Sequence, residues 1–155
     1  MKAGYSAPSA AVVALAAGVA KSVIGVLAPA QFGVDLTRLR LAFDGVTASA
    51  IPAQIEVCQA TFATNAPGTN STTITPVQVY GRAITAGFTA ASNWTTEPTV
   101  LTVADAWSLT PNGGTAIYDQ PFNGTFDSAV STGFVVRITA PAIVNVRPTL
   151  FFERC

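Results

Sequence analysis

The chain has 155 residues, half of them apolar and only 10% charged, with eight basic residues against eight acidic ones and a formal net charge of zero. That length makes one domain able to bury a core without disulfides or metals, and the balanced charge, with no Lys/Arg run, leaves no electrostatic footprint for nucleic acid. There is no histidine, which excludes Ser-His-Asp and Cys-His catalysis and leaves zinc without a ligand set.

Low charge combined with many Ala, Thr, Ser and Val residues predicts a small, hydroxylated surface of the kind that suits lasting contact with other protein. The two cysteines, Cys58 in a predicted strand and Cys155 at the C-terminus, are too few for a secreted disulfide framework and are expected as free thiols.

Residues 1–9, MKAGYSAPS, mix Gly, Pro and Ser around Tyr5 and read as an extended N-terminal arm ahead of a β-sandwich domain spanning 10–155. Termini fray unless they are tied down, so such an arm is expected to dock on a neighbour, with Lys2, Tyr5 and Pro8 as contacts. Between Ala10 and Ala28 the valines and Ile24 favour strands over 10–16 and 21–28, interrupted at Gly18 and Gly25. Ala14-Leu15-Ala16 resembles a signal-peptidase site with Lys2 upstream, but the run is mostly alanine and follows Pro8, so the segment is expected to be retained. The run is also too short to span a bilayer.

From Leu36 to Asp44 alternation is clear: Leu39, Leu41 and Phe43 share one side, Arg38, Arg40 and Ala42 the other. Asp44-Gly45 predicts a turn into a strand over Ile51–Phe62, across which Arg38 or Arg40 would face Glu56. A polar loop over 63–73 precedes strand content at Val77, Val79 and Ile84. The irregular stretch from Phe88 to Pro98 carries Trp94, an exposed-aromatic candidate for partner contact. Strand content resumes at Thr99–Ala104 and continues through Trp107 and Leu109. Pro111-Asn112-Gly113-Gly114 predicts a hairpin. Two β-branched runs follow, Phe134–Thr139 and Ile143–Val146, joined by Ala140-Pro141-Ala142, with Leu150-Phe151-Phe152 beyond. Pro141 has no amide hydrogen for a ladder and belongs in the connection. Eight to ten short strands without an amphipathic helix predict an all-β antiparallel sandwich or jelly roll.

Little chemistry can be assembled from these residues. Asp35, Asp44, Glu56, Glu97, Asp105, Asp119, Asp127 and Glu153 sit mostly beside turns and strand ends, and no pair stands out for acid–base work. Asp119 and Asp127 lack an EF-hand spacing, and Gly113-Gly114 is not followed by the Lys-Ser/Thr of a phosphate loop. No metal, cofactor or catalytic residue is expected. The sequons at Asn70, Asn93 and Asn123 are ordinary in so Thr-rich a chain. Trp94 and Trp107 could stack on sugars, though such residues more often anchor cores or interfaces.

The segments LAFDGVTASAIPAQIEVCQAT (41–61), TPVQVYGR (75–82), NWTTEPTVL (93–101) and GFVVRITAPAIVNVRPTLFFE (133–153) together resemble small virion proteins encoded near the major capsid gene of tailed bacteriophages. The end, Phe152-Glu153-Arg154-Cys155, departs from the paired acidic end of that pattern. The resemblance implies a capsid decoration, or cement, protein: a non-enzymatic β-sandwich on the outer surface of the phage head. Its partners would be the major capsid protein and itself, as a homotrimer, with neither nucleic acid nor membrane. The competing expectation is a tail or head-fibre module that binds host glycan through Trp94 and Trp107.

Overall fold

Period-two alternation becomes thirteen strands, with no helix among the described residues, in the computed structural model, which describes residues 3–44, 51–111, 115–119 and 126–155. In chain order they are β1 Gly4–Pro8, β2 Val13–Leu15, β3 Ala20–Leu27, β4 Val34–Asp44, β5 Ala53–Ala60, β6 Thr72–Ile74 and β7 Val77–Tyr80. Then follow β8 Thr89–Ser92, β9 Leu101–Leu109, β10 Thr115–Asp119, β11 Phe126–Asp127, β12 Gly133–Thr139 and β13 Val144–Arg154.

They form two antiparallel sheets. One has seven strands, ordered β10-β4-β13-β1-β7, with β11 also pairing β4 and β2 also pairing β13; the other has six, ordered β6-β8-β3-β12-β5-β9. The inward positions of β4 (Leu36, Leu39, Leu41) and β13 (Val146, Leu150, Phe152) meet those of β12 (Phe134, Val136, Ile138) and β5 (Ile55, Val57) in one buried core. Tyr5, Phe32, Phe88 and Phe152 close one end in edge and stacked contacts at 4.9–6.1 Å between centroids, the packing that aromatic quadrupoles favour. The C-terminal stretch is therefore the middle of the protein: β12 and β13 are interior strands of opposite sheets, and Pro141 lies in the connection between them.

Pro148 sits within β13, where a missing amide hydrogen should break a ladder. The break falls where it does no harm. The Pro148 carbonyl accepts from Ser9 N at 3.0 Å, and on a strand a residue's N–H and C=O point to the same side. The absent donor therefore faces the gap between β1, which pairs residues 149–153, and β2, which pairs 144–146.

Three expectations are corrected, and a fourth, the free thiols, holds. Met1 and Lys2 lie outside the described residues, but Gly4–Pro8 is a strand hydrogen-bonded to β13 on one side and β7 on the other, so it does not stand off as an arm. Its small residues, together with the apolar parity of Ala3, Tyr5 and Ala7, fit the interior of a sheet. Arg38 and Arg40 do not face Glu56, because β4 and β5 belong to different sheets; Arg38 pairs with Asp119, and Glu56 with Arg137. Asp44-Gly45 and Pro111–Gly114 likewise link strands of opposite sheets, so neither is a hairpin; residues 45–50 and 112–114 are outside the described residues. Cys58 is a buried thiol and Cys155 an exposed one, with no disulfide between them.

Candidate interaction face

The two sheets differ in what lies on their outer faces. On the six-stranded sheet, the loops after β5 and β8 fold back as a cover of their own: Phe62, Trp94, Ala91 and Ala60 bury Val135 in a second small core. Trp94 stacks on Phe62 and donates its indole N–H to the Asn65 carbonyl at 2.8 Å. The Asn65 amide in turn donates to the Glu97 carbonyl at 3.0 Å, and the Glu97 carboxylate accepts from Ser22 N at 2.8 Å and from the Ser22 hydroxyl. Asn65, Asn70 and Asn93 hold left-handed backbone in these turns, which asparagine tolerates well. Beside the cover, Arg137 donates to Glu56 at 2.7 Å over the half-exposed remainder of that face.

The seven-stranded sheet has no such cover among the described residues. Its cross-strand register sets Ile117, Arg40, Thr149 and Pro8 in one outward row across β10, β4, β13 and β1, and Asp119, Arg38, Phe151, Ser6 and Val77 in the next. Arg38 and Arg40 both lie against the Phe151 ring, each guanidinium carbon 5.7 Å from its centroid, within cation–π range. Arg38 also donates to Asp119. Tyr80 lies over Gly4, where a Cβ would come within 2.2 Å of the ring, and its hydroxyl donates to Glu153. Ile117, Val77, Val79 and Tyr80 are each about half exposed. Arg38, Asp119 and Phe151 with Val79 and Tyr80 line an open depression of about 470 Å³ that reaches from β10 to β7. Aromatic residues and arginine in a partly apolar patch are the composition of protein–protein contact surfaces.

The sheet edges are less inviting than the face. The β9 edge is broken by a bulge at Ala104, where Asp105 accepts from Ala106 N at 2.8 Å and from the Tyr118 hydroxyl of the opposite sheet. Trp107 stacks on Tyr118 at 4.6 Å and nearly parallel, shutting that side of the sandwich over a cavity of about 150 Å³. On β7 the Gln78 side chain turns back onto the Tyr80 carbonyl and Ile84 N at 3.1 and 3.2 Å. β6 is only three residues long. Bulges, inward acids and short edge strands are the devices that block strand addition.

The sequence-derived contact residues are thus dispersed. Lys2 is outside the described residues. Tyr5 is 1% exposed, aimed into the core with its hydroxyl on the Ile84 carbonyl at 3.0 Å, and Trp94 is 1% exposed under the loop cover of the other sheet; neither can reach a partner. Pro8 alone is on the open face. The face itself was missed, though its signal was present: extending the parity of Val144 and Val146 through Leu150 and Phe152 puts Arg147, Thr149 and Phe151 outward beside Arg38 and Arg40.

Among the described residues no group of three or more His, Cys, Asp or Glu is placed to hold a metal, and no helix is long and apolar enough to cross a membrane. Compared with known proteins, the chain matches no family model, no curated protein and no solved structure.

Proposed function

We propose that this chain is a structural protein of a phage virion, a capsid decoration protein that binds the outer surface of the major capsid protein lattice and stabilises the head without catalysing a reaction. The observation that carries the reading is the asymmetry of the sandwich: one outer face covers part of itself with Trp94 and its loops, while among the described residues the other has no such cover over Ile117, Arg40, Phe151, Tyr80 and Val77. A large exposed patch of this kind on a sparsely charged protein is a contact surface in waiting. The phrases at 41–61, 75–82, 93–101 and 133–153 resemble those of phage head proteins and supply the partner. Self-association into a trimer belongs to the same proposal, since closed cyclic assembly multiplies weak contacts with a repeating lattice. The glycan-binding alternative needs Trp94 and Trp107, of which Trp94 is buried and Trp107 is half-buried and stacked on Tyr118.

The test is cryo-electron microscopy of the intact particle with this fold fitted to the map. The proposal expects many copies on the outside of the head, seven-stranded sheet inward. Density confined to the tail, or none, overturns it.

A further inference from the structure

The open face is not uniformly charged. At one end Asp127, Asp35 and Glu153 are aligned across β11, β4 and β13. In the middle Arg38 is neutralised by Asp119. At the other end Arg40 and Arg147 are diagonal neighbours, since Arg40 lies opposite Thr149 and Arg147 opposite Ala42 on the same outward side. Both arginines are exposed, and among the described residues neither has a carboxylate within ion-pair distance. All eight carboxylates of the chain's Asp and Glu side chains belong to described residues, so no other acidic side chain is available to answer them.

Arg40 is more than a solvated charge. Its guanidinium carbon lies 5.7 Å from the Phe151 centroid and Ile117 sits directly across the ladder, so apolar side chains flank it, while among the described residues its N–H donors make no hydrogen bond. The planar guanidinium fork matches a carboxylate in bidentate fashion. Polyphosphate is a poor fit, because the only two arginines in this cluster are Arg40 and Arg147, while Asp127 and Glu153 lie farther along the same face and offer a continuous line of negative charge no attraction.

Resting on the head-protein reading above, we infer that this face receives an acidic side chain of the major capsid protein, Asp or Glu, gripped by Arg40 with Arg147 alongside, while Phe151 and Ile117 pack its apolar surroundings. The chemistry would then divide along the face: the Arg40 end supplies a charge-assisted contact, and the Phe151 depression supplies area.

The experiment adds the purified full-length chain to phage heads stripped of it and measures co-sedimentation at several salt concentrations. It compares the wild type with Arg40→Glu/Arg147→Glu, with Arg40→Lys, and with Arg82→Glu as an exposed control on the loop after β7. Circular dichroism and light scattering verify fold and oligomeric state for each. The inference expects the double reversal to lose about a hundredfold in affinity, Arg40→Lys to lose part of that, Arg82→Glu to bind as wild type, and wild-type binding to weaken with salt. Wild-type binding that the double reversal leaves intact overturns this inference and leaves the head-protein reading standing. A double reversal that changes the oligomeric state instead assigns the face to a second copy and also overturns it. Failure of the wild type to bind heads at all removes both.

Discussion

Trp94 rests on Gly25. A Cβ built at Gly25 would lie 3.0 Å from Trp94 Cη2, 2.9 Å from Val135 Cγ2 and 2.9 Å from the Phe134 carbonyl oxygen, so the absent side chain in the middle of β3 is the seat of the indole. The glycine is there for close approach, the meaning that glycine has inside a strand.

Gly25→Ala is accordingly expected to destabilise the fold by about 1–3 kcal/mol through overpacking, and Trp94→Ala by about 3–5 kcal/mol through the cavity it leaves. Chemical denaturation measures both. Protein that remains folded should keep wild-type affinity for heads, because the Trp94 cover lies on the opposite face from the proposed contact.

Gly25 also shows where sequence reasoning stops. A glycine in an apolar run looks the same whether it ends a strand or admits a ring, and only the position of Trp94, some 70 residues later in the chain, decides between them. What was legible was local: the alternation of Leu39, Leu41 and Phe43 against Arg38 and Arg40, the burial of Val144 and Val146, the loop position of Pro141, and with these the all-β sandwich. What was illegible was which strands become neighbours. Arg38 and Glu56 are close in sequence and of opposite charge, yet β4 and β5 cross between sheets, so the partners are Asp119 and Arg137, each 81 residues away. Period two fixes which side a residue takes, not which strand lies beside it.

The N-terminal segment gives the second prediction. Because β1 is hydrogen-bonded on both sides and places Tyr5 against Phe88 and Phe152, deleting residues 1–9 removes an interior strand and parts β7 from its sheet. The truncated chain is expected to lose cooperative folding or to aggregate, and Tyr5→Ala alone to cost about 3 kcal/mol or more. A truncated chain with an unchanged melting transition would falsify the interior role of β1.

Cys58 gives a pH dependence. Burial pushes its thiol up to about 11 from an ordinary 9.0, opposed in part by the Arg137 guanidinium nearby, with Glu56 and Glu97 adding to the upward push. An acid whose pKa is raised on folding keeps its proton longer in the folded state, so between about 9 and about 11 the unfolded chain holds fewer protons and stability falls as pH rises. The loss amounts to about 2–3 kcal/mol across that window and is absent below it. Denaturation midpoints measured from pH 8 to 11 should decline in the wild type and flatten in Cys58→Ala, once the general alkaline loss common to both is subtracted. A thiol reagent at neutral pH should modify Cys155 quickly and Cys58 only on unfolding, since the thiolate is the reactive form.

Phe151 and Trp94 make the sharpest contrast, because both are large aromatics of a kind sequence alone would offer to a partner, and they stand on opposite sides of the sandwich. Phe151 is half-buried on the open sheet, with the guanidinium groups of Arg38 and Arg40 against its ring. Removing it forfeits two exposed cation–π contacts, about 1–2 kcal/mol of stability together, much less than the loss of Trp94. At a docked interface the same side chain would be desolvated at the centre of the patch, where truncation of an aromatic costs 2 kcal/mol or more, roughly thirtyfold in affinity. Phe151→Ala is therefore expected to melt close to the wild type and to bind heads weakly, whereas Trp94→Ala melts early and, below its transition, binds normally. Measuring melting temperature and head binding on the same two variants separates the covered face from the open one; a Phe151→Ala variant with wild-type head affinity would move the contact off this sheet.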